Sequence, residues 1–263
     1  MGDYHWTTGL SCTTENGINI RGYDLVQLIG VVPFPSVLYL LFTGELPDPK
    51  VARLIDALMV ASIDHGPVTP SVLAARTAAS GGAPLGAAAA AGLLTLNKYH
   101  GAAVEDSMEA IARVVELARK SDTLGVDAAA DQVVTEWRGN KRRIAGFGHR
   151  QHKSVDPRLE RLFELAVESG VTGNHLRAAH ALARALKRST GKDLPINIDG
   201  AVAAILCEIG FPRNLSNALF MVARITGILA HAEEEITQMP RMRVIDPVDY
   251  SYEGPKEREL VIT

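Results

Sequence analysis

Cysteine is scarce: two in 263 residues, Cys12 and Cys207, far apart in sequence. That pair supplies neither a disulfide framework nor the spacing of a zinc ribbon, so a reducing cytoplasm is the expected compartment. Surplus positive charge is missing too. Lys and Arg number 27 against 30 Asp and Glu, a formal net charge of -3. This argues against a nucleic-acid binder, whose affinity rests on an excess of Lys and Arg. The opening residues MGDYHWTTG lack the apolar core of a secretion signal. No apolar run reaches membrane-spanning length without interruption, and the alanine-rich stretch 83–96 is short and holds Pro84. A soluble protein with neither a membrane nor a nucleic acid as partner is expected. HExxH is absent, and His149 and His152 stand among cations that repel a divalent ion, so no metal site is expected. Repeats, low-complexity tracts and strand patterns are lacking as well. The exception is the alternating Ile18-Asn19-Ile20, which suggests a short hairpin or extended arm within the first 22 residues.

What the chain does hold is helix. Apolar residues recur at helical spacing from Asp24 onward, first at Leu25, Leu28 and Ile29, then over 37–42. Pro33 and Pro35 separate these two stretches, and Gly44 and Pro47 end the second. Leu54, Ile55, Leu58 and Met59 mark a helix over 51–63, ended by Gly66-Pro67. Thr69-Pro70-Ser71 reads as a cap and first turn for 72–79, and the alanines of 84–97 permit close helix contact. Further helices are predicted over 104–119, 126–137, 156–169, 174–187, 199–209 and from Pro212 to about 236, with an irregular tail from Met239. The expected fold class is all-α, and all linkers are short.

The densest polar stretch is GNKRRIAGFGHRQHKSVDPR, residues 139–158. Its cations and glycines favour an anion approached by backbone N–H groups, and Asp156-Pro157-Arg158 looks like a helix start. A polyanionic ligand is one reading of this loop, and a merely solvated basic loop is the other.

Ionisable residues also interrupt small or apolar sequence at Asp64-His65, His100-Gly101, His149, Asp199 and Arg224. Singly, each has a structural explanation. Asp199 before Gly200 could cap a helix, a histidine near a helix end could be a satisfied core residue, and Arg224 could sit in a buried ion pair. Together they suit one chemistry. Histidines donate to carbonyl oxygens, a carboxylate moves a proton at carbon, and arginines hold carboxylates, as carbon–carbon chemistry beside a thioester with a dicarboxylic acid requires.

On these segments the chain resembles the citrate synthase superfamily, including the citryl-CoA lyase module at the C-terminal end of ATP-citrate lyase. The segments are INIRGYDLVQLIG with LYLLFTGELPD, SIDHGPVTPSVLAAR, NKYHGAAVEDSM, GFGHRQHKSVDPR, NIDG and ARITGILAH. They run over nearly the whole chain. The resemblance implies His65 on the substrate, His100 on the thioester carbonyl, His149 on the keto or hydroxyl oxygen and Asp199 as the catalytic carboxylate. It makes Arg158 and Arg224 carboxylate clamps, and it assigns coenzyme A to Arg142, Arg143, Gly146, Arg150 and Lys153.

The family also implies an all-α homodimer or higher homo-oligomer. Its large domain (1–103 and 203–263) carries an inserted small domain (104–202) that closes over substrate. No tightly bound cofactor is implied; the CoA thioester and a di- or tricarboxylate are substrates. Synthases end in an RPR motif that reaches the partner subunit's site, whereas this chain reads VIDPVDYSYEGP, like the lyase module. Arg241 and Arg243 are the arginines that could substitute. His100, by contrast, is a synthase feature. The expected activity is cleavage of citryl-CoA or a close homologue to acetyl-CoA and oxaloacetate. Synthesis of a free tricarboxylate with thioester hydrolysis and a non-catalytic CoA-binding role are the alternatives.

Overall fold

The computed structural model describes residues 7–15, 17–97, 100–101, 103–120, 123–148, 156–243, 251 and 253–254. The predicted arm near the N-terminus is a three-stranded antiparallel meander of β1 (Ser11–Thr14), β2 (Gly17–Ile20) and β3 (Tyr23–Asp24). Ser11 pairs with Ile20 and Ile20 with Tyr23. Arg21 (φ 49°) and Gly22 (φ 90°) form the two-residue turn between β2 and β3, the left-handed geometry that matches strand twist. The Arg21 guanidinium donates to Leu41 O at 2.9 and 3.3 Å and ties the meander to the first long helix.

Eleven α-helices follow among the described residues. They are α1 (Leu25–Leu28), α2 (Phe34–Thr43), α3 (Pro49–Ser62), α4 (Pro70–Ser80), α5 (Leu85–Leu93), α6 (Ala103–Lys120), α7 (Val126–Gly139), α8 (Pro157–Glu168), α9 (Asn174–Thr190), α10 (Ile198–Glu208) and α11 (Ser216–Gln238). The punctuation behaves as its chemistry dictates. Asp48 and Asp156 accept the N–H groups of Lys50 and Arg158, each ahead of a first-turn proline, and Gly44 and Gly191 close α2 and α9 in the left-handed region. Thr69 departs from expectation, since its side chain makes no capping bond. The predicted α1 is a single turn, because Gly30 and Pro33 follow at once.

Two apolar clusters form the core. The larger joins Ile111 and Val114 of α6, Val133 of α7, Leu182 of α9 and Ile205 of α10 to Leu54, Ile55 and Leu58 of α3. In the smaller, Val72 and Ala75 of α4 meet Ala88 and Ala89 of α5 and Phe220, Ile228 and Ala232 of α11. The small side chains of α5 do bring helices close. A Cβ on Gly92 would lie 2.8 Å from both Ile228 and the Ser71 carbonyl. With the turn before it, α11 is long and apolar enough to cross a membrane by length and composition, yet it packs against α3, α4, α5 and α6.

Candidate functional site

His100 follows α5 on a short bridge, with Asn97 and His100 exchanging backbone bonds of 2.6 and 2.7 Å. Its Nε2 lies 2.9 Å from Ser71 Oγ and accepts the Ser71 backbone N–H at 3.3 Å. A backbone amide can only donate, so Nε2 is the unprotonated nitrogen and Nδ1 carries the proton. Ser71 is fully buried in the first turn of α4, where N–H groups lack intrahelical partners. Burial, reinforced by the charges of Arg224 and His65, holds the His100 pKa below its ordinary value. A neutral imidazole with Nδ1–H is a donor suited to a carbonyl oxygen.

Asp199 occupies the first turn of α10, but it is not the cap. Asn197 is, its Oδ1 accepting the Gly200 N–H at 3.2 Å. The same asparagine donates its backbone N–H to Gly146 O (3.0 Å) and its Nδ2 to Gly148 O (2.9 Å). The basic loop is thereby pinned to the strand of chain that presents Asp199. Gly146 (φ +86°) must be glycine twice over, since a Cβ there would stand 2.8 Å from Gly200 Cα and also strike Ser107 Oγ. Burial raises the Asp199 pKa, against the opposing pull of Arg224 and Arg158.

Arg224, on α11, is 4% exposed. Its Nε donates to Ser62 O at 2.9 Å, and its guanidinium carbon stands 4.9 Å from the Phe220 ring centre. Among the described residues its two terminal nitrogens have no hydrogen-bond acceptor. Burial lowers its pKa, and Asp64 and Asp199 act against that shift while Arg158 adds to it. Arg224 therefore links His100, Asp199, Arg158 and Asp64 in one electrostatic neighbourhood. Arg158 belongs to this group but is engaged: Nε and Nη2 grip Asp156 at 3.0 and 2.7 Å, and Nη1 donates to Ala61 O at 3.2 Å. His65 stands near enough to His100 to depress its pKa.

The basic loop is divided. Arg142 forms a two-pronged bond to Glu109 (3.0 and 3.1 Å) over the Trp137 ring, and Arg143 is exposed. His149, Arg150 and Lys153 lie outside the described residues. Arg243 is held within its own chain, where it and Arg76 share the buried carboxylate of Glu235, while Arg241 is exposed. The groove along α8, lined by Leu159, Glu160, Phe163, Glu164, Val167 and Glu168, holds none of these side chains.

Sequence reasoning passed over Ser71, Asn197 and His231. Ser71 read as an ordinary first-turn residue and Asn197 fell just outside the predicted helix 199–209, and their partners lie 29 and 49 residues away. His231 had one usable signal, since it falls seven residues after Arg224 and so on the same helix face.

The family model "Citrate synthase, C-terminal domain" matches residues 47–247. Citryl-CoA lyase from Hydrogenobacter thermophilus superposes with a TM-score of 0.86 at 37% identity over 97% of both chains. ATP citrate lyase from Methanosaeta concilii, solved in complex with (3S)-citryl-CoA, shares the fold at a TM-score of 0.83 and 20% identity, over 98% of this chain and 43% of that one. Citrate synthase from Synechocystis sp. is 27% identical over 82% of this chain and 53% of its own length. The chain spans about half the length of the curated relatives it matches, or less.

Proposed function

The chain belongs to the citrate synthase family, and on that premise we propose that it cleaves citryl-CoA, or a close homologue, to acetyl-CoA and oxaloacetate. The observation that carries the reading is the meeting of His100, its Nε2 turned to the Ser71 amide, with Asp199, whose pKa burial raises, and with the Arg224 guanidinium, whose terminal nitrogens have no acceptor among the described residues, in one electrostatic neighbourhood. Similarity to a citryl-CoA lyase over nearly all of both chains favours cleavage over synthesis.

In this reading His149 accepts the proton of the tertiary hydroxyl. The carbon–carbon bond pair moves toward the acetyl fragment while the hydroxyl carbon becomes the ketone of oxaloacetate. His100 donates its Nδ1–H to the thioester oxygen, where negative charge collects. Asp199 then gives its proton to the terminal methylene carbon, which becomes the methyl of acetyl-CoA. A carboxyl whose burial favours the neutral form is poised for that step. Arg158, Arg224 and His65 hold the oxaloacetate half, and Arg158 exchanges its Asp156 and Ala61 partners for a substrate carboxylate. Coenzyme A lies along the loop of Arg142, Arg143, Gly146, Arg150 and Lys153, with Arg142 leaving Glu109 to reach a phosphate. The lobe of residues 104–202 closes over the rest and excludes water from the enol. The protein acts as a cytoplasmic homodimer or higher homo-oligomer, which light scattering of the purified protein tests.

His100, in the place where synthases keep a histidine, supports a second reading in which the thioester is hydrolysed. Supplying citryl-CoA to the purified protein and weighing the products separates the two. Acetyl-CoA with oxaloacetate supports the lyase, citrate with free CoA supports a synthase, and unchanged citryl-CoA overturns both.

A further inference from the structure

Three positions on one face of α11 grip the segment that carries His65. Arg224 bonds Ser62 O, as above. At Gly227, one turn on, a Cβ would lie 2.6 Å from Ile63 O and 2.9 Å from Asp64 Oδ1, so only glycine admits the segment this close. At His231, Nε2 stands 3.3 Å from Asp64 Oδ2. Asp64 in turn accepts the backbone N–H of Gly66 at 3.0 Å, and the N–H of His65 also stabilises its charge. Burial alone would raise the Asp64 pKa, but these two amides and His231 outweigh it and hold the pKa below the ordinary value. An ionised carboxylate only accepts, so Nε2 of His231 is the donor. The other ring nitrogen faces Glu234 at 3.9 Å.

We propose that His231 is a positioning residue that acts through Asp64 to set where the His65 imidazole stands relative to His100. Asp64 braces the backbone at and just after His65, and His231 fixes the carboxylate that does so. His65 and His100 address the two halves of the substrate, so the brace sets the dicarboxylate half against the thioester carbonyl. The substrate roles rest on the reading under Proposed function; the brace itself does not. A latch that only tied the α3–α4 connection to α11 would predict a different pattern of mutant effects.

The test compares His231→Leu, which removes the donor, with His231→Gln, which keeps an N–H of similar reach. His65→Ala and the double variant His65→Ala/His231→Leu complete a cycle. With citryl-CoA, His231→Leu is expected to raise KM about tenfold with a smaller change in kcat, and His231→Gln to recover most of that loss. In the His65→Ala background the leucine substitution should cost nothing further. Independent multiplication of the two losses, or failure of glutamine to rescue, overturns the proposal. A second readout needs no turnover: with carbon-13-labelled histidine, the His65 ring signal (identified by its absence in His65→Ala) should move in His231→Leu. The signals of His175 and His180 on α9 should stay. An unmoved His65 signal overturns the proposal whatever the reaction is. A moved signal in a protein that leaves citryl-CoA unchanged would refute the assigned reaction and leave the brace standing.

Discussion

The Ser71 backbone N–H points at Nε2 of His100, 3.3 Å away, with the Ser71 hydroxyl at 2.9 Å from the same nitrogen. One first-turn amide of α4 thus determines which histidine nitrogen holds the proton. Ser71→Ala keeps the amide and removes the hydroxyl. Turnover of citryl-CoA is expected to fall about five- to tenfold, from the loss of one hydrogen bond worth about 1 kcal/mol. Melting temperature should scarcely change. Steady-state kinetics beside a thermal melt checks both.

Asp199→Ala should abolish carbon–carbon chemistry, by at least about 10²-fold in kcat, while coenzyme A binding by calorimetry stays near wild type. Full activity in this variant would sink the assignment.

The same carboxyl sets a pH signature. A folded-state pKa raised above the ordinary 3.8 means that the folded protein holds this proton more tightly than the unfolded chain. Its stability contribution is therefore present at low pH and is lost as pH rises through the folded-state pKa. Asp199→Asn lacks this loss, so its melting temperature relative to wild type should climb as pH rises above the ordinary carboxylate value of 3.8. A constant difference across that range would contradict the raised pKa.

Asn197 separates capping from loop pinning. Asn197→Ala loses the α10 cap and leaves Gly148 O without its side-chain donor, an expected cost of about 2 kcal/mol in denaturant unfolding. Asn197→Ser keeps a capping oxygen but is too short to hold Gly148. It should recover about half of that stability while activity stays low, because Gly148 O loses its side-chain donor and the loop keeps only its backbone bonds to Pro195 and Asn197.

Glu235 is 3% exposed and holds Arg76 at 2.7 Å as well as Arg243. Glu235→Ala strands the Arg76 cation in the interior, and a loss of about 3 kcal/mol or more in unfolding free energy is expected. It also frees Arg243 and with it the anchoring of the chain beyond α11, which limited proteolysis would detect as faster cleavage after Met239.

The helices were legible because their causes are local. Asp48-Pro49, Asp156-Pro157 and the glycines after α2 and α9 mark ends by short-range chemistry, and 3.6-residue periodicity marks the faces between. The N-terminal meander was only half legible, since β3 is two residues long and shows no alternation. Asp199 could equally be read as a cap from NIDG alone, and the hydrogen bond that gives this role to Asn197 becomes visible only once α10 is built.

Sequence by itself determined the all-α class through its periodicity, and the segments that resemble the citrate synthase superfamily implied His65, His100, His149, Asp199, Arg158 and Arg224 as a candidate set. Only the tertiary structure decided how those residues are held. It fixed the His100 tautomer through an amide 29 residues away, turned Arg158 toward Asp156, fastened Arg243 to Glu235 and set Asp64 between Gly227 and His231. Each of these depends on which helix packs beside which. A hydrogen bond between groups 29 to 167 residues apart leaves no periodic trace in the chain that makes it.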